Sequence, residues 1–314
     1  MTSPKSSDFR AQLAVFAICI LGCSSLQLKA QYIGDQFPGL AGLKAGSLPD
    51  PGLYITLPLY YGDTNISIND PHGNAVLKDF TPAIGVIALP SVAVVTRFKI
   101  FGATYGVSYT QWIINGILNV ASTNYQRSTG YGFGDIYVQP VILGWHTHAA
   151  DFTLGYAFFA PTGSGTSGQH MWVNEIDFGG TLYVGEAKKW NVSTMSYYDF
   201  NRKKNNADIK VGNILTLAGG IGRSFLKGAA NAGVAYGAQW KITHDSGADI
   251  PAFLPITNGR FFTVGPEIGI PVFAKGLNVG LVSFRYEWVV GPKTSLGGQL
   301  LIASFTFAHI KSPK

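Results

Sequence analysis

Cysteine is almost missing from this 314-residue chain: there are two, Cys19 and Cys23, both within the first thirty positions. A disulfide scaffold over the remainder is therefore excluded. Charge is scarce too, with 13% Asp, Glu, Lys and Arg against 46% hydrophobic residues. No cluster of Lys and Arg interleaved with aromatics occurs, so nucleic acid is not an expected partner despite a formal charge of +6. After residue 30 no apolar run reaches the roughly 18 residues of a spanning helix, which excludes a helical membrane protein. What the chain has in quantity is glycine, 39 residues, and aromatic side chains, including 20 Phe and 15 Tyr.

The stretch from Gly130 to Gly163 shows how these residues are used. Two alternating runs, Asp135–His146 and Asp151–Ala160, flank a short polar turn, which is the pattern of a β-hairpin. In the second run Phe152, Leu154, Tyr156 and Phe158 share one face, while Asp151, Thr153, Gly155 and Ala157 share the other. The same alternation recurs in Leu53–Tyr61, Thr81–Arg97, Phe101–Ile113, Val173–Gly185, Trp190–Phe200, Lys210–Gly222, Ala229–Thr243, Phe261–Val272, Leu277–Trp288 and Leu296–Ala308. Pro90 and Pro140 lack a ladder donor, so local bulges are expected at both.

Connections between these runs alternate in length. Gly62–Phe80, Ile114–Gly132, Pro161–Trp172, Asn201–Ile209, His244–Arg260 and Val289–Ser295 are long or moderate, and those between them are tight. Long outer loops alternating with short periplasmic turns are the arrangement of an outer-membrane barrel. The expected fold is thus all-β: a transmembrane antiparallel up-and-down β-barrel of about 12 strands over residues 51–308. Its apolar face meets lipid, and Trp190, Trp240, Tyr286 and Trp288 near strand ends suit interfacial girdles.

Residues 1–30 read as an export signal, with Lys5 and Arg10 before the apolar Leu13–Leu21 and a small residue, Ala30, at the cleavage position. Ile20-Leu21-Gly22-Cys23 offers a second processing route by lipidation at Cys23. Residues 31–50 carry no period and are expected to be a periplasmic lead-in; residues 309–314 form a short tail. Localisation in the bacterial outer membrane follows, with outer-membrane lipid and the barrel-assembly machinery as partners.

Gly132-x-Gly134-Asp135, Pro140, Gly144-Trp145, Pro161-Thr162-Gly163, Gln239 with Asp245, Gly265-Pro266 and Phe305-x-Phe307 together resemble the bacterial outer-membrane family named for the MetA-pathway of phenol degradation. The resemblance runs in order over most of Leu53 to Phe307. It implies a barrel that takes part in uptake of aromatic or other hydrophobic compounds. The tail after Phe307 departs from the usual ending of outer-membrane chains at a terminal aromatic residue.

Other motifs in the chain point to chemistry less well. Gly132-x-Gly134 precedes a strand rather than opening a helix, so it is not a dinucleotide loop. Pro161–Gly168 lacks the Lys of a phosphate loop. His146-x-His148 has no third ligand at metal spacing, and no cofactor is expected. His244-x-Ser246 places a base and a nucleophile on one lipid-side face, with Asp245 or Asp249 as orienting group, which is the residue set of a membrane lipid hydrolase. A polar loop explains the same residues.

The expected function is therefore a non-enzymatic channel for small hydrophobic or aromatic compounds, passive or substrate-gated. The alternatives are a lipid hydrolase using His244 and Ser246, and a non-conducting structural barrel. Asp135, Gln139, Glu175, Asp177, Asp199, Gln239, Lys241, Glu267, Arg285 and Glu287 fall on the polar face as lumen and selectivity candidates. Lys241 and Glu267 are expected to join Arg285 and Glu287 in one charge network.

Overall fold

A computed structural model describes residues 34, 36, 41–62, 66–120, 125–185, 189–226, 229–250, 258–275 and 277–308. The export signal, the Cys23 processing site and the tail 309–314 lie outside the described residues. The strands are β1 (Gly52–Gly62), β2 (Ile66–Asn69), β3 (Ala75–Ala88), β4 (Ser91–Ile100), β5 (Ala103–Val120), β6 (Tyr125–His146), β7 (Ala150–Ala160), β8 (Val173–Val184), β9 (Trp190–Asn201), β10 (Ile214–Phe225), β11 (Ala230–Lys241), β12 (Arg260–Ala274), β13 (Leu277–Lys293), β14 (Leu296–Gly297) and β15 (Gln299–Ala308).

β3 and β4 continue one another, since β1 pairs with β3 at Leu59↔Ala88 and with β4 from Gly52↔Val95 to Thr56↔Ser91. With those two counted as one and the short β2 and β14 set aside, the wall is a closed ring of twelve antiparallel strands. The first and last strands close it, in register from Tyr54↔Ala308 to Gly62↔Leu300. Closure matters because an unpaired strand edge has no hydrogen-bonding partner in hydrocarbon.

Alternation decides what faces lipid. Phe152, Leu154 and Tyr156 of β7 are 43%, 40% and 39% exposed, while Asp151, Thr153 and Ala157 on the other face are buried. Of the two bulges expected at prolines, only the one at Pro140 occurs. Pro90 falls in the short gap between β3 and β4, yet the register runs through it unshifted, from Leu59↔Ala88 to Thr56↔Ser91 on one side and from Ala88↔Ile113 to Ser91↔Thr110 on the other, because Pro58 O accepts the Leu89 N–H and Pro90 O accepts the Gln111 N–H, each at 3.0 Å. The β6–β7 register shifts between Val138↔Phe158 and Val141↔Tyr156. That bulge around Pro140 reverses parity: Asp135, Tyr137 and Gln139 point inward before it and Gly144 after it.

The tight turns are short enough to force positive φ. Between β4 and β5 only Phe101 and Gly102 intervene, at φ 49° and 79°, the two-residue turn whose twist suits a hairpin. Three expected loops are largely strand. Most of Ile114–Gly132 belongs to β5 and β6, residues 66–69 and 75–80 of Gly62–Phe80 belong to β2 and β3, and residues 289–293 continue β13. Strands of 18 and 22 residues exceed the roughly 9–11 that cross a bilayer, so this hairpin reaches beyond the hydrocarbon layer.

Candidate functional site: the barrel lumen

Residues 41–48, part of the expected lead-in, run inside the barrel. Leu43, Ala45 and Leu48 are buried against the inner wall. The Leu43 carbonyl accepts from Ser193 Oγ at 2.9 Å and from Asn191 Nδ2, and the Ala45 carbonyl accepts from Thr181 Oγ1 at 2.5 Å. Ser47 Oγ donates to Asp151 Oδ2 at 2.6 Å. The wall is cut away to receive this segment: a Cβ on Gly220 would come within 2.6 Å of the Leu43 side chain, and one on Gly144 within 2.6 Å of Leu48. A segment without period of its own is stable here because lumen side chains satisfy its backbone groups.

Further along the bore, Gln36 is buried and its Nε2 donates to Glu175 Oε2 at 2.6 Å. Gln239 accepts the Gly34 N–H at 2.9 Å and donates to the Gln36 carbonyl at 3.0 Å. Tyr137 donates to Glu175 Oε1 at 2.8 Å, and Gln139 to Asp177 Oδ2 at 2.7 Å. Asp199 stands directly opposite Glu175 in the β8–β9 register. The chain's own N-terminal residues are thus held by an acidic, amide-rich belt.

Beside Gln36 lies a cavity of 190 Å³ whose lining includes Trp112, Tyr137, Phe159, Met195 and Tyr197. The Trp112 and Phe159 rings meet edge to face at 5.9 Å, and Tyr137 lies 4.7 Å from Phe159. Trp112 and Phe159 also belong to a buried apolar cluster with Tyr60, Ile87, Leu89, Met171, Ile209 and Val211 inside the barrel. A cavity of about 150 Å³ lined by apolar side chains is large enough to take benzene.

All ten lumen candidates point inward, but they do not form one network. Arg285 donates to Glu267 through Nε at 2.9 Å and through Nη2, and to Glu287 at 3.3 Å through Nη1. Lys241 does not join them. Its Nζ binds both oxygens of Asp245 at 2.9 and 2.8 Å. The reason is register: Glu267 faces Gly233 across β11 and Arg285 across β13, so Lys241 sits eight positions further along its strand than the residue opposite Glu267. Asp135 accepts the N–H groups of Gly163 at 2.7 Å and Gln169 at 2.8 Å, and so anchors the loop 161–172.

Among the described residues no hydrogen bond joins His244 to Ser246. Asp245 is bound to Lys241 and the Gly212 N–H, and Asp249 accepts the Asp208 N–H at 2.8 Å, so neither orients the imidazole. His146 Nδ1 lies 3.0 Å from Asp151 Oδ1, beside Ser47 and Tyr183. No group of three His, Cys, Asp or Glu gathers at metal distance among the described residues.

The lumen aromatics were missed by a reading that sought polar groups on the polar face. Their signal is parity: Trp112 follows Ser108 and Thr110, Phe159 follows Thr153 and Ala157, and Tyr197 precedes Asp199 at every second position. An aromatic residue in the inward register marks an apolar patch in the bore.

Residues 67–272 match the model of the family described as "Putative MetA-pathway of phenol degradation". No curated protein sequence matches the chain at a significant level. Among solved structures, an outer membrane channel from Pseudomonas putida F1 superposes with a TM-score of 0.70 at 11% identity, covering 87% of this chain and 99% of that one. The KdgM porin gives 0.41 at 10%, over 81% and 98%. A deletion mutant of the TodX monoaromatic hydrocarbon channel gives 0.39 at 9%, over 82% and 90%.

Proposed function

The chain belongs to the family of the MetA-pathway of phenol degradation, and from that premise we propose that it is an outer-membrane channel for small hydrophobic or aromatic molecules, gated by its own N-terminal segment. The observation that carries this reading is the aromatic-lined 190 Å³ cavity in the middle of the bore. A water-filled pore for ions has no use for Trp112, Phe159 and Tyr197 turned inward, whereas a monoaromatic solute is desolvated by them and oriented by edge-to-face packing. Gln139 and Gln36 beside the rings supply a polar handle for a hydroxyl. In this state residues 41–48 cross the bore, so passage requires that they move. The resemblance in fold to the Pseudomonas putida outer membrane channel supports the placement in that membrane.

Glu175 and Gln239 then act as the catch that holds Gln36 and Gly34. The Glu267–Arg285–Glu287 group acts on the next stretch, where Leu43 N–H donates to Glu267 Oε1 at 3.4 Å.

The test is uptake of a labelled phenol by cells carrying the protein, compared with cells carrying Thr110→Phe, which fills the cavity from its wall. Uptake above the empty-vector level, reduced to that level in the correctly folded variant, is expected. Uptake that the folded variant leaves intact would refute the cavity as the route.

A further inference from the structure

A second hollow lies on the outside of the barrel, at the end that carries the long loops. Its volume is 720 Å³, and Tyr156, Ile176 and Phe200 are exposed on its membrane side. Level with Phe200 and one step beyond Ile176 come Asn174, directly opposite Phe200 and accepting through Oδ1 from Tyr156 OH at 2.7 Å, and Asn213 just before β10. Above these stand Arg202, Lys203 and Lys210. Trp172, 47% exposed and 5.9 Å from Phe158, marks the same level as interfacial. The hollow therefore runs from apolar through amide to cationic in the direction leaving the membrane.

The cations are arranged unfavourably for an empty site. Lys203 and Lys210 face each other across an antiparallel bridge, where like charges repel. Lys203 is matched by Asp208 at 2.8 Å. Among the described residues no carboxylate lies in ion-pair range of Arg202 or Lys210. Two such cations above an apolar hollow call for one ligand that has both an anionic head and an acyl body.

We propose that this hollow seats a phosphate-bearing acyl lipid of the leaflet nearest the long loops, with its phosphate between Arg202 and Lys210 and its acyl chain along Ile176 and Phe200. The site lies outside the bore and does not depend on the channel reading.

The test uses the purified full chain in detergent, titrated with diphosphoryl lipid A and followed by native mass spectrometry. A one-to-one adduct is expected, with much weaker binding of the dephosphorylated lipid. Arg202→Gln with Lys210→Gln should weaken binding roughly 25-fold, about fivefold for each cation removed, while heat-modifiable migration stays that of the parent. Equal binding of the dephosphorylated lipid by the unaltered protein overturns the proposal without recourse to any variant. So does undiminished binding by a folded double variant. Complete displacement by inorganic phosphate also overturns it, since the site would then be one for a free anion.

Discussion

The two halves of the lumen are filled by opposite means. At the end with short turns, residues 41–48 of the chain's own N-terminal segment are enclosed, their carbonyls held by Thr181, Asn191 and Ser193 and Ser47 by Asp151, with Leu43 and Leu48 seated in the space left by Gly220 and Gly144. At the end with long loops, Met171, Ile209 and Val211 from the loops pack on Tyr60, Leu89 and Phe159 from the wall. The first kind of filling is reversible in water, because the lumen groups and the segment can each be rehydrated at small net cost. The second behaves as a protein core, where lost packing is not replaced. The proposed gate therefore belongs to the polar half and the proposed selectivity element to the apolar half.

The largest blow to the polar half is Arg285→Ala. Arg285 is 6% exposed between Glu267 and Glu287, so its removal leaves two buried carboxylates without their cation. A loss on the order of 3–5 kcal/mol is expected. The temperature at which the heat-modifiable band shifts should fall clearly; an unchanged transition would mean that the site is wet.

In the apolar half, Phe159→Ala removes a ring that touches both Trp112 and Tyr137. It should cost about 3 kcal/mol, since large-to-small changes leave a cavity. Uptake should broaden toward larger aromatics, scored by competition between phenol and a two-ring analogue. Equal discrimination in parent and variant would remove Phe159 from selectivity.

Gly46→Val separates gate from wall. Gly46 has φ 77°, and a Cβ there would overlap the backbone of Gly179 and Gly180. A left-handed conformation costs a side chain about 1–2 kcal/mol before any clash, so the population with the segment displaced should rise on the order of tenfold. Bilayer recordings should show more frequent opening with the barrel's thermal transition little changed. A silent variant would place the gate elsewhere.

The smallest effect concerns the rim. Hydrogen bonding and the nearby charge of Lys203, with the Ala248 N–H, hold the Asp208 carboxyl below its ordinary value of 3.8. A group whose folded value is depressed contributes stability that is present above the unfolded value and is lost as pH falls through the folded one. Order in the loop 202–210 should thus persist at neutral pH and weaken only below about pH 4. NMR titration of the Asp208 carboxyl checks the sign, which Lys203→Gln should remove.

The barrel itself was legible because period 2 is a local property. Phe152, Leu154 and Tyr156 had to share a face, and a strand that crosses lipid must turn that face outward. By the same rule Glu175, Asp177, Asp199, Arg285 and Glu287 could be assigned to the bore without knowing any neighbour. Even the bulge at Pro140 follows from a missing N–H.

What the tertiary structure alone decided is who meets whom. Lys241 and Glu267 are both inward, but register sets them far apart and gives Lys241 to Asp245. Residues 41–48 carry no period, so nothing local distinguishes a lead-in beside the barrel from a segment across it. Their place depends on space left by Gly144 and Gly220, which are distant in sequence, and on donors at Thr181, Asn191 and Ser193. Alternation along a strand is written in its residues, whereas the stagger between strands and the occupant of the bore exist only once the ring has closed.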